Sequence, residues 1–222
     1  MSIAFKNFSK VFGDIVVFNN FSTEFEEGKI SVIMGPSGAG KTTLLNAVAG
    51  LIDYEGAIEI DGKECEKRCS AQISYMFQEP RLIPQKTVFQ NLDFSLSTAF
   101  KNKVERREKI EKMLEYVGLS DSLKLYPHEL SGGMAQRVAL LRAFLYPSKI
   151  LLMDEPFKGL DEDMKKTIVE TFKSLWQDEK RTTLFITHDI YEANDIGDVI
   201  FSFPNKPISS VLDKKYTKTT LK

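Results

Sequence analysis

The sequence predicts an α/β fold with a parallel sheet at its centre, an antiparallel β portion near the N-terminus and a helical insert. Three observations carry this. A short apolar run, Ile30 to Met34, passes through a glycine-rich loop into a helix-like stretch with apolar residues at 44, 45, 48 and 51. A second apolar run, Ile150 to Met153, ends in the acidic pair Asp154-Glu155. Between them, from Thr87 to about Leu145, the apolar spacing turns helical.

With 222 residues, 42% hydrophobic and 27% charged, the chain can bury the core of one α/β domain with a subdomain. A net charge of −1 gives no general attraction for nucleic acid or anionic membrane, so a partner must be recognised locally. No apolar run reaches the length of about 18 residues that a membrane helix needs, and MSIAFKNFSK lacks a signal-peptide core. A cytosolic protein, or one held at a membrane by another, is expected. Cys65 and Cys69, in a polar stretch without a nearby histidine, read as reduced surface thiols rather than a zinc site.

In chain order, β-like runs at Ile3 to Phe8, Ile15 to Phe18, Phe21 to Phe25 and Ile30 to Ile33 are separated by Gly13, Asn19, Asn20 and Gly28. They predict a small antiparallel sheet leading into the loop. Phe12, beside Gly13, is the aromatic placed to meet a nucleotide base, its alternative being an ordinary sheet-core phenylalanine. Gly35, Pro36, Ser37, Gly38, Ala39, Gly40, Lys41 and Thr42 satisfy G-x-x-x-x-G-K-[ST]. Small residues let backbone N–H groups curl around phosphate oxygens at a helix N-terminus. Lys41 would reach the β- and γ-phosphates, and the Thr42 hydroxyl would hold Mg²⁺. Tyr54 to Ile60, running into Asp61-Gly62, signals a second hairpin.

Ile73 to Gln78 reads as a buried strand delivering Gln78 to its end, where an amide can coordinate Mg²⁺ and touch an attacking water. Residues 88 to 100 and Val104 to Val117 read as helices, the latter with Ile110, Met113, Leu114 and Val117 on one face. Leu130 to Arg137, LSGGMAQR, opens a further helix through Ser131, Gly132 and Gly133, a second anion-binding turn or simply an N-cap with glycines. Asp154, at the carboxyl end of its strand, would hold hydrated Mg²⁺, and Glu155 would orient or deprotonate the attacking water. Asp161 to Trp176 is expected to be an amphipathic helix with Met164, Ile168, Phe172, Leu175 and Trp176 inward. Thr182 to Thr187 is a strand ending at His188, where a γ-phosphate contact fits; His128 reads as structural. Beyond Val199 to Phe203 only a lysine-rich tail, too short for another domain, is expected.

With these motifs in this order, the chain resembles the ATP-binding subunit of an ABC transporter over nearly its whole length. The resemblance implies a P-loop NTPase core with a parallel sheet (1–86 and 148–222), including an N-terminal antiparallel β subdomain, and a helical insert subdomain (87–147). It implies two copies meeting head to tail, with ATP between the phosphate loop of one and the LSGG turn of the other. Residue by residue, Phe12 is similar to the adenine-stacking aromatic and Gly35 to Thr43 to Walker A, with Thr43 joining the phosphate contacts. Gln78 matches the Q-loop, Ser131, Gly132 and Gly133 the signature, and Ile150 to Asp154 Walker B. Glu155 resembles the catalytic base, Gly159 to Asp161 the D-loop and His188 the switch histidine, with Lys41 neutralising charge. Met134 stands where the signature commonly has Gln, and Lys158-Gly159 departs from the usual D-loop.

QEPRLIP, YPHELSGGMAQR, DEPFKGLD and THDIYEA are most similar to importer ATPases for nitrate, sulfonates, taurine and related solutes. Implied partners are a second copy, a transmembrane permease whose helix docks near Gln78 to Leu82 and, indirectly, an extracytoplasmic solute-binding protein. ATP and Mg²⁺ are the implied substrate and cofactor, no nucleic acid is expected, and the implied place is the cytoplasmic membrane face. Two other readings compete: a soluble ABC ATPase serving an assembly or nucleic-acid machine, and a P-loop kinase. A coiled-coil insert, a tandem domain and a basic stripe, which would favour the former, are lacking. The latter leaves LSGG and His188 without a purpose.

Overall fold

A computed structural model describes residues 1–65, 73–97 and 100–217. In chain order it contains β1 (Ile3–Phe12), β2 (Ile15–Phe25), β3 (Ile30–Met34), α1 (Lys41–Val48), β4 (Glu55–Ile60), β5 (Lys63–Glu64), β6 (Ile73–Met76), α2 (Val88–Leu96) and α3 (Lys103–Tyr116). There follow α4 (Gly132–Leu145), β7 (Ile150–Asp154), α5 (Glu162–Glu179), β8 (Thr182–Ile186), α6 (Ile190–Ile196), β9 (Val199–Ser202) and β10 (Asp213–Tyr216). The chain divides into two compact units. One comprises Met1–Ile73, Lys149–Glu155 and Lys180–Lys222, and the other Ser74–Ser148 and Pro156–Glu179.

The first unit holds two sheets. Strands β2, β1, β4 and β5 lie antiparallel in that order. Parallel strands β9, β3, β8 and β7 form the second, with β10 antiparallel against β9. Strands β7 and β8 are buried at every position, as a sheet covered on both faces requires. The short runs expected before residue 25 are instead two strands of 10 and 11 residues. Their register shifts where Asn7 (φ 49°) and Asn20 (φ 50°) take left-handed backbone, so these residues bulge the ladder without ending it. Phe5, Phe8, Phe18, Phe21 and Phe25 are wholly buried. Phe25 meets Phe201 at 4.7 Å and Phe21 meets Phe203 at 5.6 Å, ring centre to centre, joining the two sheets.

The lysine-rich tail, expected to be too short for another domain, supplies β10. Ile208 is fully buried, and its backbone accepts from the Asn19 N–H and donates to the Val17 carbonyl. One apolar anchor suffices there, and Lys214 and Lys215 suit an edge strand. Cys65, just past β5, is disulfide-bonded, which corrects the expectation of reduced thiols. Cys69 lies outside the described residues.

In the second unit, α2 packs on α3 and α4. Thr87 and Gln90 form a reciprocal capping box at the start of α2. Arg106, 8% exposed, donates to Asp93 at 2.5 Å and ties α3 to α2. Helix α5 buries Ile168, Val169, Phe172 and Trp176; the expected inward Met164 and Leu175 are only half-buried, because the apolar stripe runs through Val169. No helix among the described residues is long and apolar enough to cross a membrane.

Candidate functional site

Strand β3 carries the chain to Gly35, whose φ is 155°; a Cβ there would lie 2.9 Å from the Phe203 carbonyl oxygen, so no side chain fits. At the far end of the loop Gly40, φ 111°, precedes the first turn of α1, and a Cβ there would lie 2.4 Å from Val17 Cγ1. The loop thus takes its shape from backbone that only glycine adopts. Within it Lys41 is 9% exposed and donates to the carbonyls of Gly35 (2.7 Å) and Pro36 (2.8 Å). Burial lowers its pKa, opposed by the carboxylates of Glu155 and Asp154. Pro36, Ser37 and Gly38 form the crest of the loop and Ala39 is buried; Thr42 is exposed and Thr43 half-buried in the first helical turn.

Asp154 ends β7 and is 3% exposed. Its Oδ2 accepts from the Thr42 hydroxyl at 2.7 Å. Glu155 follows with φ 47°, a left-handed backbone unusual for a residue with a side chain. Its N–H donates to the Ile186 carbonyl of β8 at 3.0 Å, fixing the turn, and its side chain is 19% exposed. His188 Nδ1 stands 3.6 Å from Glu155 Oε1, with the ring 70% exposed. The adjoining backbone is braced by Thr187, Asp189 and Glu192, side chains to which the sequence alone assigned no role. The Thr187 hydroxyl donates to Glu192 (2.5 Å) and accepts from the Asp189 N–H (3.1 Å), while Asp189 caps α6 through the N–H groups of Tyr191 and Glu192. The Asp-x-x-Glu spacing of a helix start at 189 to 192 is the signal that could have found them.

Phe12 sits at the tip of the β1–β2 hairpin, paired with Ile15 and 46% exposed, with the Lys10 ammonium 4.7 Å from its ring centre. A partly exposed aromatic ring of this kind can stack on a base through a face. Further along β2, Val17 and Phe18 are the residues against which Gly40 rests. Lys41, Thr42, Asp154, Glu155 and His188 are therefore brought together at the carboxyl ends of the parallel strands of the first unit.

Gln78 and the LSGG turn belong to the second unit. Gln78 follows β6 in a turn where the Phe77 ring lies between Tyr75 (4.0 Å) and the Arg81 guanidinium (4.1 Å). Ser131 caps α4, its hydroxyl accepting from the Met134 N–H at 3.2 Å. A side chain at Gly132 would meet nothing within 4 Å, so the first turn of this helix is open to an anion. Gln136, buried on the same helix, donates to the Pro156 carbonyl at 2.9 Å. His128 stacks on Tyr126, with centroids 5.8 Å apart.

Hard oxygen donors with a single buried carboxylate suit Mg²⁺ completed by phosphate oxygens and water. Thr42 and Asp154 provide that set. Among the described residues there is no cluster of three or more His, Cys, Asp or Glu that would hold a metal without a substrate.

The family model described as ABC transporter matches residues 18–158. The aliphatic sulfonates import ATP-binding protein SsuB of Bacillus cereus is 41% identical over 213 residues, 95% of this chain and 83% of that protein. The sulfate/thiosulfate import ATP-binding protein CysA of Synechocystis sp. is 36% identical over 95% of this chain and 60% of its own length. Among solved structures, the dimeric bacterial ABC transporter cassette MJ0796 matches with a TM-score of 0.87 and 29% identity, over 98% of this chain and 99% of that one. Its dimeric post-hydrolysis state with ADP and Pi matches with a TM-score of 0.85 and 28% identity over the same shares.

Proposed function

On the premise that this chain belongs to the ABC transporter family, as an ATPase, we propose that it powers import of a small oxyanionic solute through a partner permease. The observation that carries the site assignment is the meeting of Lys41, Thr42, Asp154 and Glu155 at one end of the parallel sheet. In this reading the triphosphate of ATP takes the place of the Gly35 and Pro36 carbonyls as partner of the Lys41 ammonium. The loop N–H groups from Gly38 to Thr43 bind the phosphates, and Phe12 stacks on adenine. Thr42, Asp154 and Gln78 would hold Mg²⁺, which when bound neutralises phosphate charge.

Glu155 orients a water for attack on the γ-phosphorus and takes its proton, as the bond to the β-phosphate oxygen breaks to leave ADP and inorganic phosphate. His188, beside Glu155 and exposed, contacts the γ-phosphate. Ser131, Gly132 and Gly133 of a second copy complete the site with the open first turn of their helix. The head-to-tail dimer rests on the likeness to a cassette described as dimeric.

Sulfonate is the favoured cargo class because the SsuB proteins are about 40% identical over most of the chain, with nitrate and taurine as neighbouring chemistries. Association with the cytoplasmic membrane face comes through the permease, and delivery through an extracytoplasmic solute-binding protein. The deciding experiment is Glu155→Gln: ATP turnover is abolished and ATP then holds a dimer through size-exclusion chromatography. Undiminished turnover without such a dimer overturns the assignment.

A further inference from the structure

The turn that carries Gln78 has little regular structure of its own, from Phe77 to Ile83. Two side chains hold it from behind. Asn91 of α2, fully buried, accepts from the Ile83 N–H at 2.8 Å and donates to the Ile83 carbonyl at 3.2 Å. Arg142 of α4 places Nη1 2.7 Å from the Arg81 carbonyl and Nη2 2.9 Å from the Pro80 carbonyl. Arg81 turns its carbonyl through a left-handed backbone, φ 43°. Its own guanidinium is stacked away on Phe77.

The Arg142 guanidinium is half-buried, and among the described residues it has no carboxylate partner. A desolvated cation held on two consecutive carbonyls fixes a loop shape, because the planar fork of arginine presents one nitrogen to each in a rigid geometry. Burial depresses its pKa, without a neighbouring acid to offset the effect. Arg142 lies on the same helix as Ser131, about 16 Å further along at 1.5 Å per residue.

We propose that Arg142 is a positioning residue that locks the Gln78 turn to the helix bearing Ser131, so that the two phosphate-directed elements of this unit move as one piece. The functional consequence rests on the roles proposed above for Gln78 and Ser131. Displacement of α4 by the partner copy's nucleotide is then transmitted to Gln78 through the pair of bonds at residues 80 and 81, and loss of the fork leaves Gln78 on a slack loop.

Trypsin cleavage after Arg81 reads the turn directly, with cleavage after Arg107 in α3 as an internal control. In the full chain, Arg142→Met should speed cleavage after Arg81 about tenfold, leave that after Arg107 unchanged, and lower kcat about tenfold. ATP affinity of the isolated chain should stay within about twofold, because the loop that binds the triphosphate lies in the other unit. Arg142→Lys, which keeps the charge but replaces the rigid two-nitrogen fork with a single, more mobile ammonium, should fall between the two on both readouts. Should Arg142→Met not fold, Arg142→Lys alone decides, by faster cleavage after Arg81 and not after Arg107. Unchanged cleavage after Arg81, cleavage raised equally at both sites, or wild-type kcat overturns the proposal. Gln78→Ala separates the two layers: wild-type kcat in that variant removes the role of Gln78, whereas the cleavage rates still judge the lock.

Discussion

Thr42 and Asp154 are 112 positions apart in the chain and share a 2.7 Å hydrogen bond. One begins the helix after the glycine loop; the other ends a strand buried at all its positions. Their meeting requires α1 to pack against β7, so the bond reports the fold as well as the site. It also holds a hydroxyl and a carboxylate in register for a small hard cation.

Asp154→Asn keeps the shape and removes the charge. ATP hydrolysis should fall by about a hundredfold or more, the scale of losing a preorganised electrostatic partner. Nucleotide affinity should become indifferent to Mg²⁺. Titrations with a fluorescent ATP analogue, with and without Mg²⁺, check this; a variant that still binds more tightly with Mg²⁺ would remove Asp154 from the metal site.

Two glycines of the loop separate steric demand from backbone demand. At Gly40 a methyl group would lie 2.4 Å from Val17 and 3.1 Å from Phe18, at φ 111°. At Gly38, φ 74°, it would meet nothing within 4 Å. Gly38→Ala should therefore cost about 1–2 kcal/mol, the left-handed penalty alone. Gly40→Ala should cost about 3 kcal/mol or more and displace the loop from β2. Equal losses for both in urea denaturation would contradict the packing described.

The buried Lys41 ammonium gives a pH signature. Desolvation lowers its pKa below the ordinary value of 10.5, so on raising the pH the native state releases this proton before the unfolded chain does. Between the native pKa and 10.5 the unfolded state binds more protons, and stability from this group rises with pH; below that window it is flat. Lys41→Met lacks the effect. The Tm of wild type minus that of the variant should stay constant at neutral pH and grow as the pH approaches 10.5. ATP affinity of the wild type should fall over the same window, because phosphate favours the charged lysine. A Tm difference that shrinks there would mean that the ammonium is not desolvated.

The parts legible in the sequence were those set by local patterns. Ile30 to Leu51 announced strand, loop and helix because its apolar residues, glycines and lysine act within one turn of each other. Asp154 and Glu155 were legible for the same reason, at the end of an unbroken apolar run. What escaped depended on distant partners. Asn19 and Asn20 look like a strand break until the ladder of β1 with β2 turns Asn20 into a bulge. Strand β10 is polar and becomes a strand only because β9 offers it an edge. The left-handed Glu155 likewise appears only once β7 and β8 lie side by side.

Phe12 offers the sharpest separation of binding from folding. A core phenylalanine such as the fully buried Phe18 would cost about 3–5 kcal/mol on truncation to alanine. Phe12 is 46% exposed at a hairpin tip, so Phe12→Ala should cost well under that, about 1 kcal/mol. Stacking of a base on an aromatic ring is worth about 1–3 kcal/mol, so the same change should weaken ATP binding by about 5- to 150-fold. Phe12→Tyr keeps the ring and should retain wild-type affinity. Inorganic triphosphate has no base, and its binding should be untouched by either substitution. If Phe12→Ala weakens ATP and triphosphate alike, the ring supports the loop and does not stack on adenine.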